Sequence, residues 1–175
     1  MGAFYRGGLA VSWIAAAAAL ALILGTALLT CADIVIRNLG FRGLIGVVDL
    51  SQLMILAAAS FVIPFAFYSQ AHVAVDIVTQ RLSPRANAAI ALFSTLAAAA
   101  FLVLVTVYGW SQAQMSIRAG DRSQTLEWPI AIYWVAFLAG NALSAYAALA
   151  MALRHALHLL RGSDPFPTEH GQGLQ

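Results

Sequence analysis

Charged residues divide the chain into four long apolar stretches. The stretches lie between Arg6 and Asp33, Asp49 and Asp76, Arg85 and Arg118, and Glu127 and Arg154. Each is longer than the roughly 20 residues that an α-helix needs to cross a hydrocarbon core of about 30 Å. The pattern therefore predicts an all-α integral membrane protein with four transmembrane helices, at approximately residues 9–32, 50–71, 86–115 and 129–153. These helices form one membrane domain of residues 1–162, followed by a polar C-terminal tail of residues 163–175.

Residues that favour helix starts support three of these boundaries. Asp49 and Gln52 have the spacing of a capping box, so the second helix is expected to begin at Asp49. Pro84 and Pro129 stand where the first turn of a helix needs no N–H group, so the third and fourth helices are expected to begin near them. Glycines between Asp33 and Asp49 predict a loop or a broken helix there.

Polar residues inside the apolar stretches are few and uncharged. Pro64 is expected to kink the second helix and to free the carbonyl of Ser60 from its helical hydrogen bond. Asn141 is the clearest buried polar residue of the fourth helix. For such groups, hydrogen bonds between helices, worth roughly 0.6 to 2 kcal/mol, are favoured over substrate contacts. We therefore assign Ser60, Pro64, Pro129 and Asn141 to helix packing.

A short amphipathic segment is predicted between the second and third helices. Over residues 72–82, apolar residues such as Val75 recur at helical spacing, while His72 and Asp76 fall on another face. A segment of this kind fits the membrane surface. We take His72, Val75, Asp76 and Arg81 as a candidate structural motif on the cytoplasmic side.

Composition and charge narrow the class of function. The chain is 62% hydrophobic and 9% charged, with a mean hydropathy of +0.84, whereas soluble domains carry about 25% charged residues. All nine basic residues are arginine, scattered singly against seven acids, so the chain has no basic stripe for nucleic acid and no P-loop lysine. Common enzyme motifs are absent, and no ionisable residue is expected at mid-depth. These features favour a subunit that is not an enzyme, has no cofactor of its own and serves a membrane partner.

Two alternatives come from other classes: a stand-alone small membrane carrier and a membrane redox subunit that holds haem. A carrier that couples to protons is expected to hold a carboxylate within the membrane. Haem held by two histidines needs them to face each other on neighbouring helices. His155 and His158 are instead expected to form an interfacial cationic end to the fourth helix.

Three segments carry a resemblance to a known family. They are DIVIRNLGF at residues 33–41, AHVAVDIV at residues 71–78 with RLSP at residues 81–84, and QTLEWPIAIYW at residues 124–134. In this order, and within a four-helix frame, they resemble the small membrane subunit of tripartite ATP-independent periplasmic (TRAP) transporters. The resemblance spans about residues 8–160. The chain departs from the pattern in having only Asp49 before the second helix, where members often carry an acidic pair, and Ser60 to Pro64 where members often carry a glycine.

The resemblance implies a role in import. In such systems a periplasmic substrate-binding protein captures an organic acid, and a large membrane permease subunit moves it together with sodium. The small subunit is similar to a fixed scaffold in the membrane lipid, and sodium is expected on the large subunit. The implied location is the bacterial inner membrane. Five arginines on one side against four on the other favour both termini being cytoplasmic.

This topology places two interhelical loops in the periplasm, where charges would steer the docking of the binding protein. Arg42 and Arg122 lie furthest from the predicted helix ends and are the best candidates for contact. Anchoring of helix ends at lipid headgroups is the alternative role for any one of these charges. The candidate docking residues are Arg37, Arg42, Asp49, Arg118, Asp121, Arg122 and Glu127.

Overall fold

A computed structural model of the chain describes residues 2–69 and 83–161. Within these ranges the chain forms four helices, α1 (Gly2–Asn38), α2 (Val47–Tyr68), α3 (Pro84–Ala119) and α4 (Ala131–Arg161). All four are long and apolar enough to cross a membrane. The predicted all-α fold with four membrane-spanning helices is therefore confirmed. The amphipathic segment, with His72, Val75, Asp76 and Arg81, lies outside the described residues, as does the C-terminal tail.

The four helices pack in the order α1, α2, α4, α3. α1 and α2 form one hairpin, α3 and α4 form another, and contacts between α2 and α4 join the two. Because α2 and α4 occupy the centre, each edge helix packs mainly against one neighbour. Large apolar side chains consequently remain exposed on the edges, such as Leu28 of α1 (71%) and Phe93 of α3 (75%). Apolar side chains in such positions suit a protein surrounded by lipid.

α1 extends further than the sequence predicts. Its expected end lies near residue 32, but the helix continues to Asn38. Asp33 and Arg37 fit inside its last turns because they pair at i, i+4, with Arg37 Nε 2.8 Å from Asp33 Oδ2. The other carboxylate oxygen of Asp33 accepts a hydrogen bond from the backbone N–H of Leu44 at 2.6 Å. The loop of residues 39–46 (the α1–α2 loop) is thereby folded back against α1.

The capping box predicted at Asp49 is wrong. α2 begins at Val47, after Gly46 in the left-handed region (φ 84°), and no side chain caps its first amides. The carboxylate of Asp49 is instead engaged by the loop of residues 120–130 (the α3–α4 loop).

The other two predicted helix starts lie close to the observed ones. At α3, Ser83 Oγ accepts a hydrogen bond from the backbone N–H of Ala86, and Pro84 occupies the first turn. α4 begins at Ala131, two residues after Pro129.

The backbones of α2 and α4 approach closely at Ser60 and Gly140. A Cβ atom at position 140 would lie 2.8 Å from the carbonyl carbon of Ser60 and 2.9 Å from its oxygen. Pro64 has no N–H to give to this carbonyl, so the Ser60 oxygen lacks its usual helical donor at the place where Gly140 approaches. In lipid no hydrophobic force draws helices together, and close packing at small residues replaces it. Both Ser60 and Pro64 are buried in this contact region.

Polar side chains at the α2–α4 contact are hydrogen-bonded within their own helices. Ser60 Oγ donates to Leu56 O at 2.9 Å, and Asn141 Nδ2 donates to Phe137 O at 3.0 Å. Hydrogen bonds between helices were expected for Ser60 and Asn141, but the bonds that these two side chains form lie within their own helices. Each side chain reaches the carbonyl four residues earlier, an arrangement that satisfies its donor without help from a neighbouring helix.

Substituting Gly140 tests the close approach of α2 and α4. In an ordinary helix, Gly→Ala stabilises by about 1 kcal/mol. At Gly140 we expect Gly140→Ala to destabilise by about 1–3 kcal/mol, because the new methyl group meets the Ser60 backbone. Thermal unfolding in detergent measures the change. Gly7→Ala is the matched control, since nothing lies within 4 Å of a Cβ at position 7. A Gly140→Ala protein as stable as the Gly7→Ala protein would contradict this packing.

Candidate functional site at the loop end of the bundle

The carboxylate of Asp49 binds the α3–α4 loop to the first turn of α2. Asp49 is completely buried. Its Oδ2 accepts hydrogen bonds from Ser123 Oγ at 2.8 Å and from the backbone N–H groups of Thr125 at 2.9 Å and Leu126 at 2.6 Å. Its Oδ1 is also buried and has no hydrogen-bond partner in the described part of the chain. Three bonds to one charged oxygen make this the main polar contact between the two hairpins.

Two further contacts reinforce the same junction. Tyr133, in the first turn of α4, donates its hydroxyl hydrogen to Asp49 O at 2.8 Å. The side chain of Leu126 lies over Gly46, where a Cβ would come within 2.7 Å of its Cδ1. Gly46 is therefore required both by its positive φ and by the space that Leu126 fills. The first turns of α2 and α4 are held together by these contacts.

The α3–α4 loop is itself well ordered by hydrogen bonds. Ser123 N donates to Trp128 O at 2.8 Å, and Trp128 N donates to Ser123 Oγ at 3.0 Å. Arg122 forms an isolated antiparallel bridge with Pro129, and its Nη1 donates to Glu127 O at 3.1 Å. Glu127 has a positive φ of 53°, which a non-glycine residue adopts at a cost. The loop is thus a short closed hairpin, and Pro129 lies in it rather than in α4.

Six of the seven candidate docking residues are exposed at this end of the bundle: Arg37, Arg42, Arg118, Asp121, Arg122 and Glu127. The assignment of Asp49 to docking is corrected, because its side chain is buried and bonded to the loop. Asp33 is buried as well and pairs with Arg37. With both of these acids turned inward, the accessible side chains carry four arginines against two acids, Asp121 and Glu127. The accessible surface is therefore richer in arginine than the sequence of the loops indicates.

Apolar side chains also lie on this surface, which the sequence analysis did not single out. Phe41 and Ile45 in the α1–α2 loop are 70% and 81% exposed. Met115 and Ile117 near the end of α3 are exposed too. Alternation of apolar residues with arginine suits an interfacial or partner-binding surface. The signal that could have found it is the presence of Phe41 and Ile45 in a loop otherwise rich in glycine.

His155 does not lie where the sequence places it. It is buried between α3 and α4, and its Nδ1 lies 3.1 Å from Thr95 Oγ1. The predicted interfacial role is therefore wrong for His155, because the last turns of α4 continue to pack against α3. Among the residues that the structure describes, no three His, Cys, Asp or Glu side chains group together as metal ligands.

The arrangement defines a polytopic helical membrane protein whose two interhelical loops are fastened into one structured surface. Comparison with protein families then identifies the family of membrane proteins to which the chain belongs. Residues 26–158 match the family of tripartite ATP-independent periplasmic transporters, DctQ component. The match covers most of the chain, which therefore belongs to this family and is a small membrane component of a TRAP transporter. Comparison with curated proteins and with solved structures gives no match. Membership in a family of transporter components favours this class over a membrane redox subunit.

Asp49→Asn tests the junction. In this variant the amide nitrogen can take the place of Oδ1, where it is buried without an acceptor. Alternatively, it takes the place of Oδ2 and faces the donors of the α3–α4 loop. In both cases the loss of charge weakens three bonds, so we expect a cost of about 2–4 kcal/mol. The increase in the hydrogen-exchange rates of the Thr125 and Leu126 amides measures this loss of stability. The control is Asp121→Asn at an exposed side chain, which should change stability by less than about 0.5 kcal/mol. Unchanged exchange in the Asp49→Asn protein would show that the carboxylate does not hold the loop.

Proposed function

We propose that this chain is the fixed scaffold subunit of a secondary transporter that imports organic acids with sodium. In this proposal a large permease subunit carries the substrate and sodium, and a periplasmic binding protein delivers the substrate. The observation that carries the proposal is the family match from the second half of α1 to near the end of α4. The match includes both loops of the candidate site.

The internal use of acidic side chains supports a scaffold rather than an ion carrier. Asp33 and Asp49 are the acids within the described helices, and both are committed to the chain's own groups. Sodium would be bound by oxygen ligands, and carboxylates held in this way are poorly placed to gather around an ion. The backbone contact at Ser60 and Gly140 joins the two hairpins within the membrane-spanning parts of α2 and α4. A subunit built like this is suited to stay still while a partner moves.

Reconstitution in liposomes tests whether transport is carried out by the large subunit and not by this chain. The chain alone in liposomes with a sodium gradient is expected to take up no organic acid, because its acids are engaged internally. It should copurify with a much larger membrane subunit. The two subunits together, with the binding protein added, should take up substrate in a sodium-dependent way. Robust uptake by this chain alone would overturn the scaffold proposal, and sodium-independent uptake by the full system would overturn the coupling.

We further propose that both termini are cytoplasmic in the bacterial inner membrane and that the two loops face the periplasm. The arginine-rich loop surface would then meet the binding protein, with charges steering the encounter. Labelling of Gln124→Cys by an impermeant thiol reagent tests the orientation, in a Cys31→Ser background because Cys31 is exposed. Labelling only after membrane disruption would reverse the topology.

Arginine reversal tests the docking role. Arg122 supports the carbonyl of Glu127, so Arg42 and Arg118 are cleaner positions for substitution. We expect Arg42→Glu with Arg118→Glu to raise the binding-protein concentration needed for half-maximal uptake by about tenfold, which corresponds to about 1.4 kcal/mol. The effect should diminish at high salt. Arg85→Glu, an exposed arginine at the opposite end, is the control. Unchanged uptake with unchanged salt dependence would identify the loop arginines as lipid anchors.

A further inference from the structure

The apolar stretches of the two edge helices are too long for an upright helix. In α1 the stretch without charge runs over residues 7–32, and in α3 the stretch without charge or side-chain amide runs over residues 88–111. At 1.5 Å per residue these stretches measure about 39 Å and 36 Å, against a hydrocarbon core of about 30 Å. A helix with an excess of this size fits the core when it is inclined by about 30–40°.

The levels along the bundle at which neighbouring helices contact each other give a second, independent measure of the inclination. Trp13 of α1 stacks edge-on against Phe65 of α2, with ring centroids 5.9 Å apart. This contact places the middle of the α1 stretch, near Leu20, level with the middle of α2. Ser60, near the middle of α2, meets Gly140, which lies in the first third of α4. The middles of α1 and α2 therefore lie at similar heights along the bundle, while the middle of α4, near Tyr146, lies about 9 Å beyond the level of Ser60, towards the end opposite the loops.

α3 is displaced in the same direction as α4. The middle of its apolar stretch is Ala99, which packs with Ala148 of α4 and is adjacent to Phe67 at the end of α2. Thr95 and His155 confirm the same register further along the pair. The middle of α3 thus lies about 12 to 16 Å away from the middles of α2 and α1, towards the end opposite the loops.

An upright bundle would be poorly matched to a bilayer. A slab of about 30 Å centred at the level of Ser60 would leave Phe93 of α3 beyond the face opposite the loops. The side chain of Phe93 is apolar and largely exposed. The same slab would enclose the exposed amide side chain of Gln112. Burying an amide in hydrocarbon while apolar rings meet water costs free energy at both ends.

We propose that the subunit sits in the bilayer with its helices inclined by about 30–40° from the membrane normal, within the plane of the helix row. The loop ends lean towards the α1 side. A displacement of about 15 Å across three helix spacings of about 9 Å gives an inclination of about 30°, in agreement with the helix lengths. In this orientation the middles of all four apolar stretches lie within about 6 Å of the bilayer centre. The exposed edges of α1 and α3 then contact hydrocarbon at matched depths. The proposal rests on the membrane fold and not on the proposed transport function.

Depth measurements at pairs of equal height test the inclination. Ala17 on α1 and Val107 on α3 lie at the same height along the bundle, as do Val11 on α1 and Phe101 on α3. All four are exposed, so a nitroxide attached to a cysteine there has room. The full-length chain with Cys31→Ser is reconstituted in phosphatidylcholine nanodiscs. The relative collision rates of each nitroxide with oxygen and with a water-soluble nickel chelate then report its depth.

The inclined orientation predicts opposite results in the two pairs. Position 17 should lie deeper than position 107, whereas position 101 should lie deeper than position 11, each by about 7 Å along the normal. Equal depths within each pair would overturn the proposal, as would the reverse order in either pair. Leu20 and Trp110 form a replacement pair of equal height if a label at position 17 or 107 prevents folding. Loss of transport with these depths retained would count against the proposed function alone.

Discussion

The carboxylate of Asp49 accepts three hydrogen bonds from the α3–α4 loop, and that contact joins the two hairpins at their loop end. Without it, the loop would have to find other acceptors for two backbone N–H groups and a hydroxyl, and a buried charge would be left without donors. The cost of an unpartnered buried charge is several kcal/mol. The position of the loop, and with it the exposed arginines, depends on this one side chain.

A second constraint acts near the middle of the membrane. Lipid chains are as apolar as the helices, so α2 and α4 gain from each other mainly through close packing. Gly140 permits that packing at Ser60, where Pro64 has removed the usual donor to the carbonyl. One contact therefore fixes the hairpins near the interface and the other fixes them at depth. Two fixed points separated along the helices give the bundle a defined register, which an inclined orientation in the bilayer requires.

Much of the fold could be predicted from the sequence because charge spacing alone marks the membrane spans. The start of α3 at Pro84 follows from local chemistry and is observed. The end of α1 could not be placed, because a pair such as Asp33 and Arg37 can lie inside a helix or beyond it. Asp49 was misjudged for a different reason. Its sequence neighbours offer a local capping role, whereas its actual donors come from residues 123–126, which are distant in the chain. Long-range contacts of this kind leave no periodic pattern in the sequence.

Asp49 couples α2 to the α3–α4 loop, and a double-mutant cycle between Asp49 and Ser123 tests this coupling most directly. The two side chains meet at 2.8 Å. Unfolding free energies in detergent are compared for the parent chain, Asp49→Ala, Ser123→Ala and the double variant. Direct coupling predicts that the double variant loses less stability than the two single losses added together, by about 1–2 kcal/mol. Strictly additive losses would show that the two groups do not interact and would contradict the account.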